Sequence, residues 1–253
     1  MNNPFSLEGR NIVITGAASG IGRASAIICS QCGANLILID KNEEGLKETL
    51  GRLEGVNHLF FAQDITEYQK IEATISEAVA KAGKISGFVH SAGLTLTLPF
   101  KVTGPTHYEK LYAVNNIAGY EIAKVISKKN YLHENGASFV FIASIMGILG
   151  QEGNIAYCSS KGALVAAVKA MALELAPKKI RVNCVLPAVV RTEMSENLFK
   201  TISPESMNNI LGMHPLGLGT PEDIAYAFIF LLSAASKWIT GSSLIIDGGY
   251  SAH

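Results

Sequence analysis

Seven short apolar runs, at residues 11–15, 35–40, 57–61, 85–90, 138–143, 181–186 and 242–246, are separated by stretches with helical patterning. Strand-length runs alternating with helices predict parallel pairing, because a parallel neighbour is reached only through a long crossover. A parallel sheet is covered on both faces, so its strands read as near-continuous apolar runs. The expected fold is therefore α/β, a doubly wound, parallel, seven-stranded sheet with helices on both faces. No low-complexity linker or short repeat interrupts the 253 residues, of which 48% are apolar, so a single domain over 1–253 is expected. In an open sheet of this kind ligands sit outside the C-terminal strand ends, which directs attention to the residues closing each run.

The first run, NIVIT, leads into GAASGIG and then a helical pattern, which places Gly16, Gly20 and Gly22 between a strand and a helix. A turn without side chains lets backbone N–H groups and a helix N-terminus approach a pyrophosphate, with Ser19 and Ile21 in the same turn. The second run, NLILID, ends on Asp40, eighteen residues after Gly22. A carboxylate there accepts hydrogen bonds from ribose hydroxyls and repels a 2′-phosphate, so the expected cofactor is NAD(H) rather than NADP(H). Ser19 is not basic, and Lys41 is the one adjacent cation available to a phosphate.

Tyr157 and Lys161 stand four apart in a helical segment, and Ser144 closes the run FVFIAS thirteen residues before the tyrosine. Positions four apart lie one above the other on a helix, so the Lys161 ammonium is expected beneath the phenol, favouring its ionised form. Alone, such a pair is a common surface pattern. With Ser144 and the glycine turn, it becomes a candidate proton donor beside a reacting carbonyl.

These motifs, taken in order, resemble the short-chain dehydrogenase/reductase family over nearly the whole chain, with the Rossmann-type sheet this implies. TGAASGIG is similar to the family's cofactor turn, Asp64 of QDIT with Ile65 to its adenine-contacting segment, and Asn115 of AVNNIAG to its catalytic asparagine. Ser144, Tyr157 and Lys161 match the remaining catalytic members. RVNCVLPAVVRTEM resembles the segment holding the nicotinamide, with Pro187, Val190 and Thr192 at the contacting positions, and Ala92 and Gly93 approach the cofactor through backbone. The resemblance implies that Asn115 holds a relay water, that Lys161 also binds the nicotinamide ribose, and that the protein is a homodimer or homotetramer. HPLGLGTPEDIA and the DGG tail look most similar to 3-oxoacyl thioester reductases. Secondary alcohol, sugar-alcohol and hydroxysteroid dehydrogenases share that pattern, and a non-catalytic dinucleotide sensor is a reading of another class.

The chain departs from the family at His90-Ser91-Ala92-Gly93, where two asparagines are usual, and at Ala188, where a glycine commonly follows the proline. His90 is expected as a structural residue able to supply an imidazole N–H. Lys plus Arg equals Asp plus Glu at 21 each, which gives no electrostatic case for nucleic acid or an anionic membrane. The first ten residues lack a secretory pattern and the apolar run 225–235 is too short to span a bilayer, so a cytoplasmic protein is expected. Cys29 and Cys32, late in a helix, read as small buried residues, and no metal site is expected. Residues 194–220, broken by prolines and glycines, are expected to form a substrate lid. Met194, Leu198, Phe199, Met207 and Met213 offer it apolar surface, with 94–98 and 148–151 as the opposite wall.

Overall fold

The computed structural model describes residues 3–200 and 202–252, apart from the side chains of 194, 197 and 198, so the lid expectations for Met194 and Leu198 lie outside the described residues. The strands are β1 (Asn11–Thr15), β2 (Asn35–Asp40), β3 (Leu59–Ala62), β4 (Gly87–His90), β5 (Ala137–Ile142), β6 (Ile180–Pro187) and β7 (Ser243–Ile246). All pair in parallel, in the order β3-β2-β1-β4-β5-β6-β7. The Rossmann-type sheet read from the sequence is the observed one. Its order reverses between β1 and β4, where Thr15 pairs with His90, and this is the crevice such sheets offer a ligand.

Alternate strand residues face opposite helical layers, as the two-residue period of a strand requires. Val13, Ile37, Phe88, Phe139, Phe141, Val182 and Cys184 pack on one side against α3 (Tyr68–Ala82), α5 (Ala118–Ile126) and α6 (Ile155–Leu175). Ile12, Ile14, Leu36, Leu38, Val89, Val140 and Val185 face α1 (Gly20–Gln31) and α9 (Pro221–Leu232) on the other. Phe88 meets Phe139 and Phe141 edge to face at 5.8 and 5.7 Å, and all three are fully buried. Burial of each contributes about 2–3 kcal/mol, enough to fix β4 and β5 and hence the crevice beside them.

Local signals set the helix ends. Thr220 accepts from Asp223 N while Asp223 accepts from Thr220 N at 2.7 Å, with Pro221 at the first helical position, so TPED starts α9 sharply. Asn42 caps α2 (Glu43–Leu50) by accepting from Gly45 N at 3.1 Å. Between α4 (Pro105–Tyr112) and α5 the chain makes a π-helical turn, Ala113–Ile117, which carries Asn115. The segment after β6 carries α7 (Glu193–Phe199) and α8 (Pro204–Gly212), the second starting at a proline that was expected to break the pattern.

Candidate active site

The C-terminal ends of β1, β2 and β4 frame a cleft of about 300 Å³ whose lining includes Gly16, Ser19, Gly20, Ile21, Gly22, Asp40, Asp64, Ile65, Ala92, Gly93, Tyr157, Lys161 and Thr192. The glycines are required by backbone contacts. A Cβ on Gly16, whose φ is +69°, would fall 2.7 Å from Ala92 N, and one on Gly22 would fall 2.1 Å from Gly16 O. Ser19 makes no side-chain cap on α1, and no acidic residue lies in that helix's first turn. The Gly20 N–H instead donates to Glu193 Oε2 at 3.1 Å, so the turn already accepts an oxyanion. The backbone therefore suits the phosphates of a dinucleotide.

At the adenosine end, Ala18 N–H and Asn42 N–H donate to the Asp40 carboxylate at 3.2 and 2.9 Å, which turns it towards the glycine turn. Thr66 donates through its hydroxyl and its N–H to Asp64 Oδ1 and holds that carboxyl below its ordinary range. Arg23 donates through Nε and Nη2 to Thr49, Ala18 O and Glu48. Lys41 remains as the cation lining this end of the cleft.

At the reacting end, Lys161 Nζ donates to Ile142 O at 2.8 Å and lies 5.7 Å from the Tyr157 ring centroid. Helical spacing stacks the pair as expected, yet the electrostatic expectation is corrected. Burial pushes the Tyr157 phenol up, opposed by its hydrogen bond with Ser144, and pushes the Lys161 ammonium down to about 8. Loss of water drives each group towards its neutral form. Ser144 Oγ also accepts from Met146 N at 3.1 Å and reaches Pro187 O at 3.4 Å, so its hydroxyl is held beside the phenol.

Asn115 is fully buried, and its side chain is occupied. It accepts from Leu94 N at 2.7 Å and donates to Leu94 O and Ser160 Oγ, each at 3.0 Å. Asn116 adds a bond to Ser160 O at 2.9 Å. The Asn115 side chain ties the β4 exit loop and the π turn to the Tyr157 helix. Pro187 ends β6, and Val190 follows three residues on. Neither is among the residues lining the cleft, and Val190 is packed in the core and bridged to Gly219. Contact with a nicotinamide there would fall to backbone and to Thr192.

His90 recovers the hydrogen bonds put in doubt by its place in the sequence. A carbonyl only accepts, so the bond of Nε2 to Val114 O at 3.1 Å fixes the tautomer, and Nδ1 accepts from Thr15 Oγ1 at 3.0 Å. Thr15 Oγ1 in turn accepts from Ala92 N at 3.3 Å. The relay joins β1, β4 and the π turn. Gly119 makes room for it, since a Cβ there would lie 2.6 Å from the imidazole. Burial, then the charge of Lys161, push His90 down from 6.5 to about 4. Between those pH values the unfolded chain takes a proton that the folded chain refuses. The stability conferred by the neutral ring is present above 6.5 and is lost as pH falls towards 4, about 3 kcal/mol in all. Denaturant midpoints measured from pH 7 to pH 4 should fall more steeply in the wild type than in His90→Asn; parallel curves would contradict this.

The loops at 97–98 and 151–154 are bonded to each other. Leu98 N donates to Gly153 O at 2.7 Å, Thr97 Oγ1 to Asn154 Oδ1 at 3.0 Å, and Asn154 Nδ2 to Gln151 Oε1 at 2.6 Å. A second depression there is lined by Thr97, Pro99, Phe100, Gln151, Glu152, Gly153 and Ile155. His214 accepts from Val189 N at 3.4 Å, donates to Ile210 O and packs on Tyr250, joining α8 to the β6 exit and the C-terminal arm. Glu193 was missed by sequence reasoning, because nothing in the local pattern links it to a turn 173 residues away.

A family profile described as Enoyl-(Acyl carrier protein) reductase matches residues 16–251. The chain is 32% identical to a Listeria innocua NAD-dependent glycerol dehydrogenase, over 97% of this chain and 95% of that one. This chain belongs to the short-chain dehydrogenase/reductase family. It is also 32% identical to a Thermotoga maritima 3-oxoacyl-[acyl-carrier-protein] reductase, over 96% of this chain and 98% of that one. A solved structure from Agrobacterium tumefaciens with bound NADP superposes with a TM-score of 0.88 at 28% identity, covering 100% of both chains. As a short-chain dehydrogenase/reductase, the protein is an oxidoreductase of alcohols and ketones using a nicotinamide cofactor. Among the described residues no helix is long and apolar enough to cross a membrane, and no group of three or more His, Cys, Asp or Glu is placed to hold a metal.

Proposed function

We propose that the chain is an NAD(H)-dependent dehydrogenase/reductase of a compact secondary alcohol and its ketone, acting as one catalytic unit over 1–253 with residues 194–220 as lid. The cofactor choice rests on the Asp40 carboxylate, fixed by Ala18 and Asn42 N–H groups at the mouth of the glycine turn. Ribose hydroxyls donate to it, whereas a 2′-phosphate would meet its charge. The Asp40→Ala variant should shift the NADH to NADPH ratio of kcat/KM towards NADPH by at least about tenfold, since one unfavourable contact of roughly 1.4 kcal/mol is a factor of ten. An unchanged ratio would remove Asp40 as the selector.

When bound, the dinucleotide supplies or takes the hydride. Tyr157 gives its proton to the oxygen that becomes the alcohol, and the Ser144 hydroxyl turns to the same oxygen and stabilises its growing charge. Lys161, charged below about 8, offers the N–H donors not used on Ile142 O to the nicotinamide ribose, and its charge stabilises the phenolate until solvent returns the proton. Asn115 keeps these groups in register through Ser160. The reverse sequence oxidises the alcohol.

The polar wall of Thr97, Gln151 and Asn154 supports a substrate with further hydroxyl or carbonyl groups. A 3-oxoacyl thioester is the second reading, favoured by exposed apolar surface at Leu211, Met213 and Leu216 of the lid, which would cover an acyl chain. The α6 face bearing Ala163, Ala166, Ala170 and the well-exposed Leu173 favours a second copy of the chain as its partner, hence a homodimer or homotetramer.

A further inference from the structure

We propose that Glu193 is an internal competitor for the phosphates of the dinucleotide, a carboxylate that occupies the phosphate turn in the free protein and is displaced as the cofactor arrives. The inference rests on the dinucleotide reading of the cleft. Helix α1 presents unsatisfied N–H groups at its start, with no capping bond from Ser19 and no acidic residue in its first turn. The anion that meets them comes from across the cleft: Glu193 Oε2 accepts from Gly20 N at 3.1 Å. Its other oxygen lies 3.9 Å from Arg23 Nη1. Gly20 has a φ of +50°, and a Cβ there would meet Thr192 Cγ2 at 3.3 Å, so the absence of a side chain at position 20 is what allows Thr192 and Glu193 to close on the turn.

A carboxylate and a phosphate cannot share these donors. Two unit charges about 4 Å apart repel by roughly 1 kcal/mol in water and several-fold more near protein, so arrival of one expels the other. Glu193 heads α7 and follows Thr192, which lines the cleft. Its expulsion therefore frees the first turn of the lid at the moment the cofactor is seated, and the lid becomes responsive to whether the turn holds phosphate. Removing the charge should tighten dinucleotide binding, opposite to what loss of an ordinary binding or structural residue does.

The test is calorimetric titration of wild type, Glu193→Gln and Glu193→Ala with NAD⁺, ADP-ribose and adenosine, with thermal melts as a check on folding. The expected result is a Kd for NAD⁺ and ADP-ribose lower by about fivefold or more in both variants, the factor that 1 kcal/mol represents, with adenosine, which lacks phosphates, unchanged. Equal or weaker NAD⁺ binding in folded variants, beside normal binding by the wild type, would overturn the proposal while leaving the dinucleotide site standing. If the wild type itself takes no dinucleotide, the proposed function falls and this inference with it.

Discussion

Replacing Tyr157 by phenylalanine should lower turnover by about a hundredfold to ten-thousandfold while NADH affinity changes by less than about twofold. The substitution removes one oxygen and leaves the ring, so packing against the helix and the 5.7 Å approach of Lys161 to the ring survive. What is lost is the proton donor for the developing alkoxide, a contribution of roughly 10² to 10⁴ in rate for general acid catalysis. The phenol is pushed up by burial, so in the resting cleft it is protonated and ready to donate in the reductive direction. Stopped-flow turnover and fluorescence titration of NADH on the same preparation separate the two effects. Substantial residual turnover would place the acid elsewhere.

Substituting Gly22 by alanine should weaken NADH binding by about a hundredfold and destabilise the fold by about 1–3 kcal/mol, the usual cost of forcing extra volume into a packed site. The added methyl would lie 2.1 Å from Gly16 O and 2.7 Å from Gly16 C. Those are backbone atoms, so no rotamer change relieves the clash and the turn itself must open. The N–H groups that receive phosphate move with it. Gly150→Ala is the control, because a Cβ there meets nothing within 4 Å. Titration and melting of both variants decide the matter, and unchanged NADH affinity in Gly22→Ala would contradict the phosphate role of the turn.

Much of the architecture was legible because a parallel sheet writes itself as separate apolar runs. The run 11–15 coincides with β1 and 35–40 with β2, and the expected 57–61 overlaps β3 at Leu59–Ala62. β4 is shorter than its run because Ile85 leaves the ladder to bridge Leu132. Within the site, residues whose role is fixed by backbone position, such as Gly16, Gly22 and Asp40, lie in the cleft as their spacing implied. Residues whose role depends on burial or distant partners did not follow so simply. The local pattern around Asn115 gives no hint that Leu94 and Ser160 consume its amide, nor that Val190 is drawn into the core by Gly219. Helical spacing brought Lys161 to Tyr157, but the balance between attraction and desolvation is set by everything that surrounds them. Glu193 depends on the lid folding back over the start of α1.

The most direct measurement is nicotinamide absorbance followed during turnover, with NADH and NADPH run side by side against hydroxylated ketones, ketosteroids and 3-oxoacyl thioesters, and with Tyr157→Phe as control. The predicted result is loss of the reduced-nicotinamide signal with NADH as the preferred cofactor, dependent on a ketone and absent in the variant. Preference for NADPH would contradict the role given to Asp40. Ketone-dependent turnover undiminished in Tyr157→Phe would contradict the chemistry assigned to the site.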